Sequence, residues 1–165
     1  LAAFGSGYRY HVTGLNKMQD GFPTTKPELV QAEEERLLRK VSASQDDIIC
    51  FEEYCLEDAE LVVVAFGSTS RSARYAVNVA RKNGIRVGMF RIRTFWPFPD
   101  SQIRALARKA KALIVPEMNL GMCALEVQRC AEGQAPVHGI FRVEGEPINP
   151  DQILVKINEV NQHGI

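Results

Sequence analysis

Leu61-Val62-Val63-Val64-Ala65 is a run of five apolar residues with no polar side chain at alternating positions. The valines favour extended backbone, and a strand that lacks a polar side must be covered on both faces. Such a strand belongs in a sheet sandwiched between helices. Four further apolar runs suit its neighbours: Ile48 to Tyr54, Val87 to Ile92, Ala112 to Glu117, and Val137 to Val143. Between them the apolar residues take up the helical period. Ala73, Ala76, Val77 and Ala80 fall at i, i+3, i+4 and i+7, Ile103, Leu106, Ala107 and Ala110 repeat that spacing, and Leu120, Ala124, Val127 and Ala131 make a third stripe. Asn83-Gly84 is a C-terminal stop and Pro99 with Asp100 a start. Asn149-Pro150 reads as an N-cap and first-turn proline opening a last helix through Ile153, Leu154, Ile157 and Val160. Strands alternating with such helices imply right-handed crossovers and a mainly parallel sheet, an α/β fold.

The stretch upstream is of another kind. From Leu1 to Lys26 Gly, Thr, Asn and Lys abound and neither period persists, which reads as an arm; Pro27 then opens a helix with an incomplete apolar stripe of Leu29, Val30, Leu37, Leu38 and Val41, ending near Ser42 to Ser44. The expected organisation is an arm and linker helix over residues 1–45 and one domain over 46–165. With 165 residues, 45% of them apolar, the chain suffices for one packed core. It starts at Leu1 in a Gly/Ser-rich run, and the expectation is a fragment of a longer protein.

Formal net charge is zero, so the total does not suggest a nucleic-acid binder. Its distribution is uneven. Acids dominate from Glu28 to Glu60, whereas from Arg71 to Lys111 Asp100 is the lone acid. Such blocks read as solvated helix faces, or otherwise as complementary subunit contacts or an anion site. No run is long and apolar enough to span a bilayer, and a cytoplasmic location is expected. Cys50, Cys55, Cys123 and Cys130 lack the two-residue spacing that grips zinc or iron-sulfur clusters and read as buried free thiols. His11, His138 and His163 are scattered, and each reads as a surface or hydrogen-bonded core histidine.

Ligands of open α/β sheets gather at the carboxyl ends of the strands, where Gly67-Ser68-Thr69-Ser70-Arg71 follows the central run. Glycine permits a tight turn, three hydroxyls can donate, and the amides of the next helix would favour an anion. This turn lacks both the dinucleotide and the P-loop patterns. The competing reading is that Ser68, Thr69 or Ser70 caps the helix. An independent anion- or nucleotide-sensing domain using this turn is the alternative function. In Arg93-Thr94-Phe95-Trp96-Pro97-Phe98-Pro99, Phe95 is expected in the core, while Trp96 and Phe98 are candidates for a subunit contact or for intramolecular packing. Neighbouring Glu52 and Glu53 point to opposite faces of a strand, with no cleft or base to suggest acid–base work. No catalytic residue and no metal ligand set emerges.

Three segments carry a resemblance: Asp58 to Ser68 (DAELVVVAFGS), Val87 to Pro99 (VGMFRIRTFWPFP) and Ile114 to Gly121 (IVPEMNLG). In order and spacing they resemble alpha subunits of 2-oxoacid:ferredoxin oxidoreductases, nearest the 2-oxoglutarate type, with His11-Val12-Thr13-Gly14-Leu15 leading out of the preceding domain. More distantly, Arg93, Thr94 and Pro97 after a strand are similar to the C-terminal domain of transketolase. The resemblance implies three α/β/α layers around a five-stranded mixed sheet whose first strand, Ile48 to Tyr54, is antiparallel to the rest. It implies a parent complex that oxidatively decarboxylates a 2-oxoacid with coenzyme A and passes electrons to ferredoxin. Thiamine diphosphate, magnesium and the iron-sulfur clusters would sit on other modules, and the thiamine-activating acid would lie before Leu1. For this domain it implies a non-catalytic role in holding subunits together, with the beta subunit as partner, ferredoxin and coenzyme A met only through the parent, no nucleic acid or membrane, and a homodimer left open.

Overall fold

Leu61 to Ala65 are at most 2% exposed and alternate between two separate cores. The structure, a computed structural model, describes residues 2–8 and 11–163, with side chains through residue 162. Strand β2 (Leu61–Phe66) lies in the middle of a five-stranded sheet of order β1-β3-β2-β4-β5, whose other members are β1 (Phe51–Tyr54), β3 (Val87–Ile92), β4 (Ala112–Glu117) and β5 (Val137–Phe141). β1 runs antiparallel to β3, and the remaining pairs are parallel. Leu61, Val63 and Ala65 face one core, shared with helices α3 (Thr69–Lys82) and α6 (Pro150–His163); Val62 and Val64 face the other, shared with α4 (Asp100–Ala107) and α5 (Met122–Ala131). Two covered faces explain the unbroken apolar run.

Helix boundaries follow local chemistry. α3 ends in a Schellman motif: the Gly84 N–H donates to Arg81 O (3.0 Å), the Ile85 N–H to Ala80 O (3.1 Å), and Gly84 takes the positive φ of 83° that this stop requires. α6 opens with a capping box. Asn149 Oδ1 accepts from the Asp151 N–H (3.0 Å) while Gln152 Oε1 accepts from the Asn149 N–H (2.9 Å).

Two strands are shorter than the apolar runs predict. Residues 45–48 form a helical turn, α2 (Gln45–Ile48), so β1 starts at Phe51 and not at Ile48. The intervening carbonyls serve the corner after β3: Ile48 O accepts from Thr94 Oγ1, and Cys50 O from the Arg93 and Thr94 N–H groups. β5 stops at Phe141; the Arg142 N–H still donates to Glu117 O (3.2 Å), while its guanidinium turns to Glu144 and Pro147 O.

The oppositely charged blocks meet within this unit. Glu52 bridges Arg74 (2.9 Å) and Arg91 (3.2 Å), Arg81 Nη2 reaches both Asp58 oxygens, and Glu60 pairs with Arg86 and Lys111. Glu52, Asp58 and Glu60 thus fasten β1 and the turn after it to α3, β3 and the residues that lead into β3 and β4.

The chain divides into two compact units, residues 1–46 and 47–165. The first holds a turn closed by a Lys17–Pro23 bridge and helix α1 (Pro27–Ser42), with Pro27 in its first turn. No residue of α1 is buried, as its incomplete stripe foreshadows. Among the described residues no helix is long and apolar enough to cross a membrane.

Candidate functional site

In the order β3-β2-β4, the helices that follow β2 and β4, α3 and α5, lie on opposite faces of the sheet, so the carboxyl ends of β2 and β4 form the topological switch point where a crevice is expected. Gly67 to Arg71 forms one wall, with Gly67 at φ 56°. None of the three hydroxyls caps α3. Ser68 occupies the N-cap position but already has helical dihedrals (φ −67°, ψ −34°), whereas a capping side chain needs extended backbone to reach the next amides. Its hydroxyl instead lies 3.9 Å from Met118 Sδ across the crevice. Thr69 Oγ1 donates to Phe66 O (2.7 Å), and Ser70 Oγ is buried without a partner. Only Ser68 and Arg71 of this turn remain exposed with polar groups.

The opposite wall is built more firmly. Glu117, the last residue of β4, is fully buried, and its carboxylate accepts the Cys123 N–H (2.8 Å) and the Ala124 N–H (2.9 Å). Asn119 Oδ1 accepts the Gly121 N–H (2.9 Å) and the Met122 N–H (2.8 Å). Four successive amides at the start of α5 are thereby satisfied by two side chains, one at the end of β4 and one in the loop after it. Negative charge on Glu117 also suits the positive end of the helix. In the sequence Glu117 appears only as a strand end; the signal for its role is an acid and an amide two residues apart before a glycine. Leu120, expected on the helical stripe, precedes the helix and is 78% exposed, while Cys123 and Cys130 occupy the inward face with Ala124 and Val127.

The aromatic loop after β3 divides its rings. Phe98 is half-buried against the core beneath α4, and Phe95 bridges it to Phe66, with ring centroids 5.5 and 5.1 Å away. Trp96, joined to Pro97 by a cis peptide, is 67% exposed. Phe98 thus packs in part within the chain, while Phe95, expected in the core, is exposed, because its ring lies over Phe66 and Phe98 at the outer edge of the cluster.

Burial pushes the Cys123 and Cys130 thiols up to about 12, helped by the negative charges of Glu117 and Asp100 respectively. Cys50, by contrast, is exposed and Cys55 half-buried, which corrects the expectation of four buried thiols. His11 is exposed beside Phe22, and His138 is half-buried with no partner for Nε2, so its hydrogen bonding is incomplete. The side chain of His163 lies outside the described residues. Glu53 does line a pocket of about 220 Å³ with Leu56, Glu57 and Lys109, at the end of the sheet away from the crevice. Among the described residues no three His, Cys, Asp or Glu side chains converge as metal ligands.

Residues 59–153 match the family model described as pyruvate:ferredoxin oxidoreductase core domain II. The chain belongs to this family. Its segments 58–68, 87–99 and 114–121 supply β2, β3 and β4 with the loops that follow them, so the resemblance rests on the centre of the sheet and its carboxyl edge. A curated relative, 2-oxoglutarate synthase subunit KorA of Methanothermobacter marburgensis, is 41% identical over 95% of this chain and 42% of its own length. The chain thus spans about two fifths of that relative. Among solved structures, the 2-oxoglutarate:ferredoxin oxidoreductase of Magnetococcus marinus matches 96% of this chain and 28% of its own, with TM-score 0.69 at 24% identity. A split-gene transketolase matches 62% of this chain and 38% of its own, with TM-score 0.55 at 18% identity. Both likenesses concern the fold, and they agree with the mixed five-stranded sheet and its antiparallel first strand.

Proposed function

We propose that this chain is the assembly domain of the alpha subunit of a thiamine-diphosphate-dependent 2-oxoacid:ferredoxin oxidoreductase of the 2-oxoglutarate type. The observation that carries the reading is the character of the carboxyl edge. Where open α/β sheets ordinarily gather ligand-binding groups, this one displays Trp96, Leu120 and Met122, which suits contact with protein. Identity of 41% to a 2-oxoglutarate synthase subunit over nearly the whole chain supports the substrate class.

The residues present do not fit thiamine diphosphate, magnesium or an iron-sulfur cluster. Among the described residues no three His, Cys, Asp or Glu side chains converge to hold a metal diphosphate or an iron-sulfur cluster. Those groups belong, in this reading, to other modules of the parent. Four free thiols accord with a reducing cytoplasm. The beta subunit is the direct partner, and ferredoxin and coenzyme A meet the parent elsewhere.

The test is a reconstituted complex containing this domain in its alpha subunit. It should oxidise 2-oxoglutarate with coenzyme A and reduce ferredoxin, with kcat/KM at least about tenfold above that for pyruvate, a discrimination of about 1.4 kcal/mol. Preference for pyruvate would reject the 2-oxoglutarate assignment, and no turnover of any 2-oxoacid would reject the enzyme reading. The chain by itself should show no micromolar thiamine diphosphate binding by calorimetry. A melting point raised by micromolar phosphate, nucleotide or coenzyme A would favour the sensing alternative at Gly67 to Arg71.

A further inference from the structure

We propose that the pocket at the end of the sheet away from the crevice is a binding site for a small aliphatic α-amino acid. Such a site is separate from the assembly role and does not depend on it. The walls come from two parts of the fold. β1 and the turn after it supply Glu53, Leu56 and Glu57, and the last turn of α4 with the residues that follow supplies Leu106 and Lys109. Val62, near the start of β2, adds a buried apolar side chain.

Both walls are fixed before a ligand arrives. Gly88 has no Cβ, so the Cys55 carbonyl comes close to the backbone of β3, and Arg81 pins the same turn by donating to Cys55 O (3.4 Å) and to both oxygens of Asp58. On the α4 side the Lys109 N–H donates to Leu106 O (3.0 Å) and the Lys111 N–H to Glu60 O (2.7 Å), which ties the residues after the helix to the turn. A volume of about 220 Å³ stays open between these fastenings. Little ordering cost is left for a ligand to meet.

Charge and volume select the ligand. Among the described residues the side chains of Glu53, Glu57 and Lys109 make no hydrogen bond or ion pair, whereas the charges around them are taken, Asp58 by Arg81 and Glu60 by Arg86 and Lys111. Glu57 adds only to the field at Arg81, and Arg108 is exposed next to Lys109 without lining the pocket. Two carboxylates on one wall and an ammonium on the other fit the two ends of a zwitterion, whose own ammonium turns to Glu53 and Glu57 and whose carboxylate turns to Lys109. Leu56, Val62 and Leu106 leave an apolar surface for an aliphatic side chain. Drug-sized ligands occupy pockets of roughly 300 Å³ or more, so a nucleotide or coenzyme A is too large and a molecule of under about ten non-hydrogen atoms is the right size. A 2-oxoacid of the same skeleton is disfavoured, because it brings an acceptor oxygen to the two carboxylates where the amino acid brings donors.

Titration of the whole chain, followed by the methyl NMR signals of Leu56, Val62 and Leu106, tests this. The probes are L-valine, L-leucine and L-isoleucine, with 4-methyl-2-oxopentanoate, which lacks the ammonium, and isopentylamine, which lacks the carboxylate. At least one amino acid should shift these methyl signals saturably with a Kd on the order of 0.1 mM, and both analogues should bind at least about tenfold more weakly. Glu53→Gln/Glu57→Gln and Lys109→Gln should each raise the Kd about tenfold or more while melting like the wild type without ligand, and Arg108→Gln should bind as the wild type does. No saturable shift with any of the three amino acids up to about 10 mM, or shifts confined to other methyl groups, overturns the proposal. So does isopentylamine binding as tightly as the amino acids with Lys109→Gln without effect, which would make the pocket a site for simple amines.

Discussion

A Cβ on Gly88 would sit 2.4 Å from the carbonyl oxygen of Cys55 and 2.7 Å from Leu56 Cδ2. The first of these is backbone and cannot swing away. Cys55 itself holds φ 53°, a left-handed conformation costly for a residue with a side chain, and the turn it makes carries Leu56 onto the core under α4. Gly88→Ala must therefore push back a strained turn and a half-buried leucine. Overpacking of this kind costs about 1–3 kcal/mol, so calorimetry should show the melting temperature falling by roughly 5 °C. An unchanged melting temperature would mean that the Cys55-Leu56 turn yields freely. The sequence places Gly88 in a strand, yet the approach of Cys55 was not legible there, because the contact joins residues far apart along the chain. Glu117 was hidden for a related reason: an acid at a strand end looks exposed until the helix it caps is seen to start beside it.

Elements whose signals are local were the ones sequence reading located well. β2 announces itself by its length and valines, α3 by its period and the Asn83-Gly84 stop, and α6 by Asn149-Pro150. α5 was misplaced at its start, since Leu120 has the spacing of a helical residue but Asn119 and Glu117 hold it outside the helix. The buried thiols of α5 yield a prediction with a definite sign. In the unfolded chain a thiol titrates near 8.5, while Cys123 and Cys130 are pushed up to about 12 in the fold. Below about pH 8.5 both states hold these protons and stability does not depend on them. Above it the unfolded chain gives them up and the folded chain keeps them, so stability falls as pH rises toward 12, by at most about 1.4 kcal/mol per pH unit for each thiol. Denaturant melts at pH 8.5 and 10 should show the wild type losing more stability than Cys123→Ala/Cys130→Ala between the two. Equal losses would show that neither thiol is held protonated by the fold.

For the whole molecule the question is which residues the fold needs. Both cores draw their residues from the unit that starts at Asp47, and β1 completes that unit by stacking Phe51 on Phe90, with centroids 5.0 Å apart. Residues 59–153, which match the family model, also lie wholly inside it. Helix α1, of 16 residues with none buried, is near the length at which isolated helices become marginal in water. A chain starting at Asp47 should consequently melt as cooperatively as the whole one, within about 4 °C, equivalent to roughly 1 kcal/mol at this size. Limited proteolysis of the whole chain should cut first before Asp47 and leave the remainder resistant, because cleavage follows local opening and α1 has little packing to oppose it. A collapsed melting transition in the shortened chain would show that the first unit is part of the folding core, and the division at Asp47 would then be wrong.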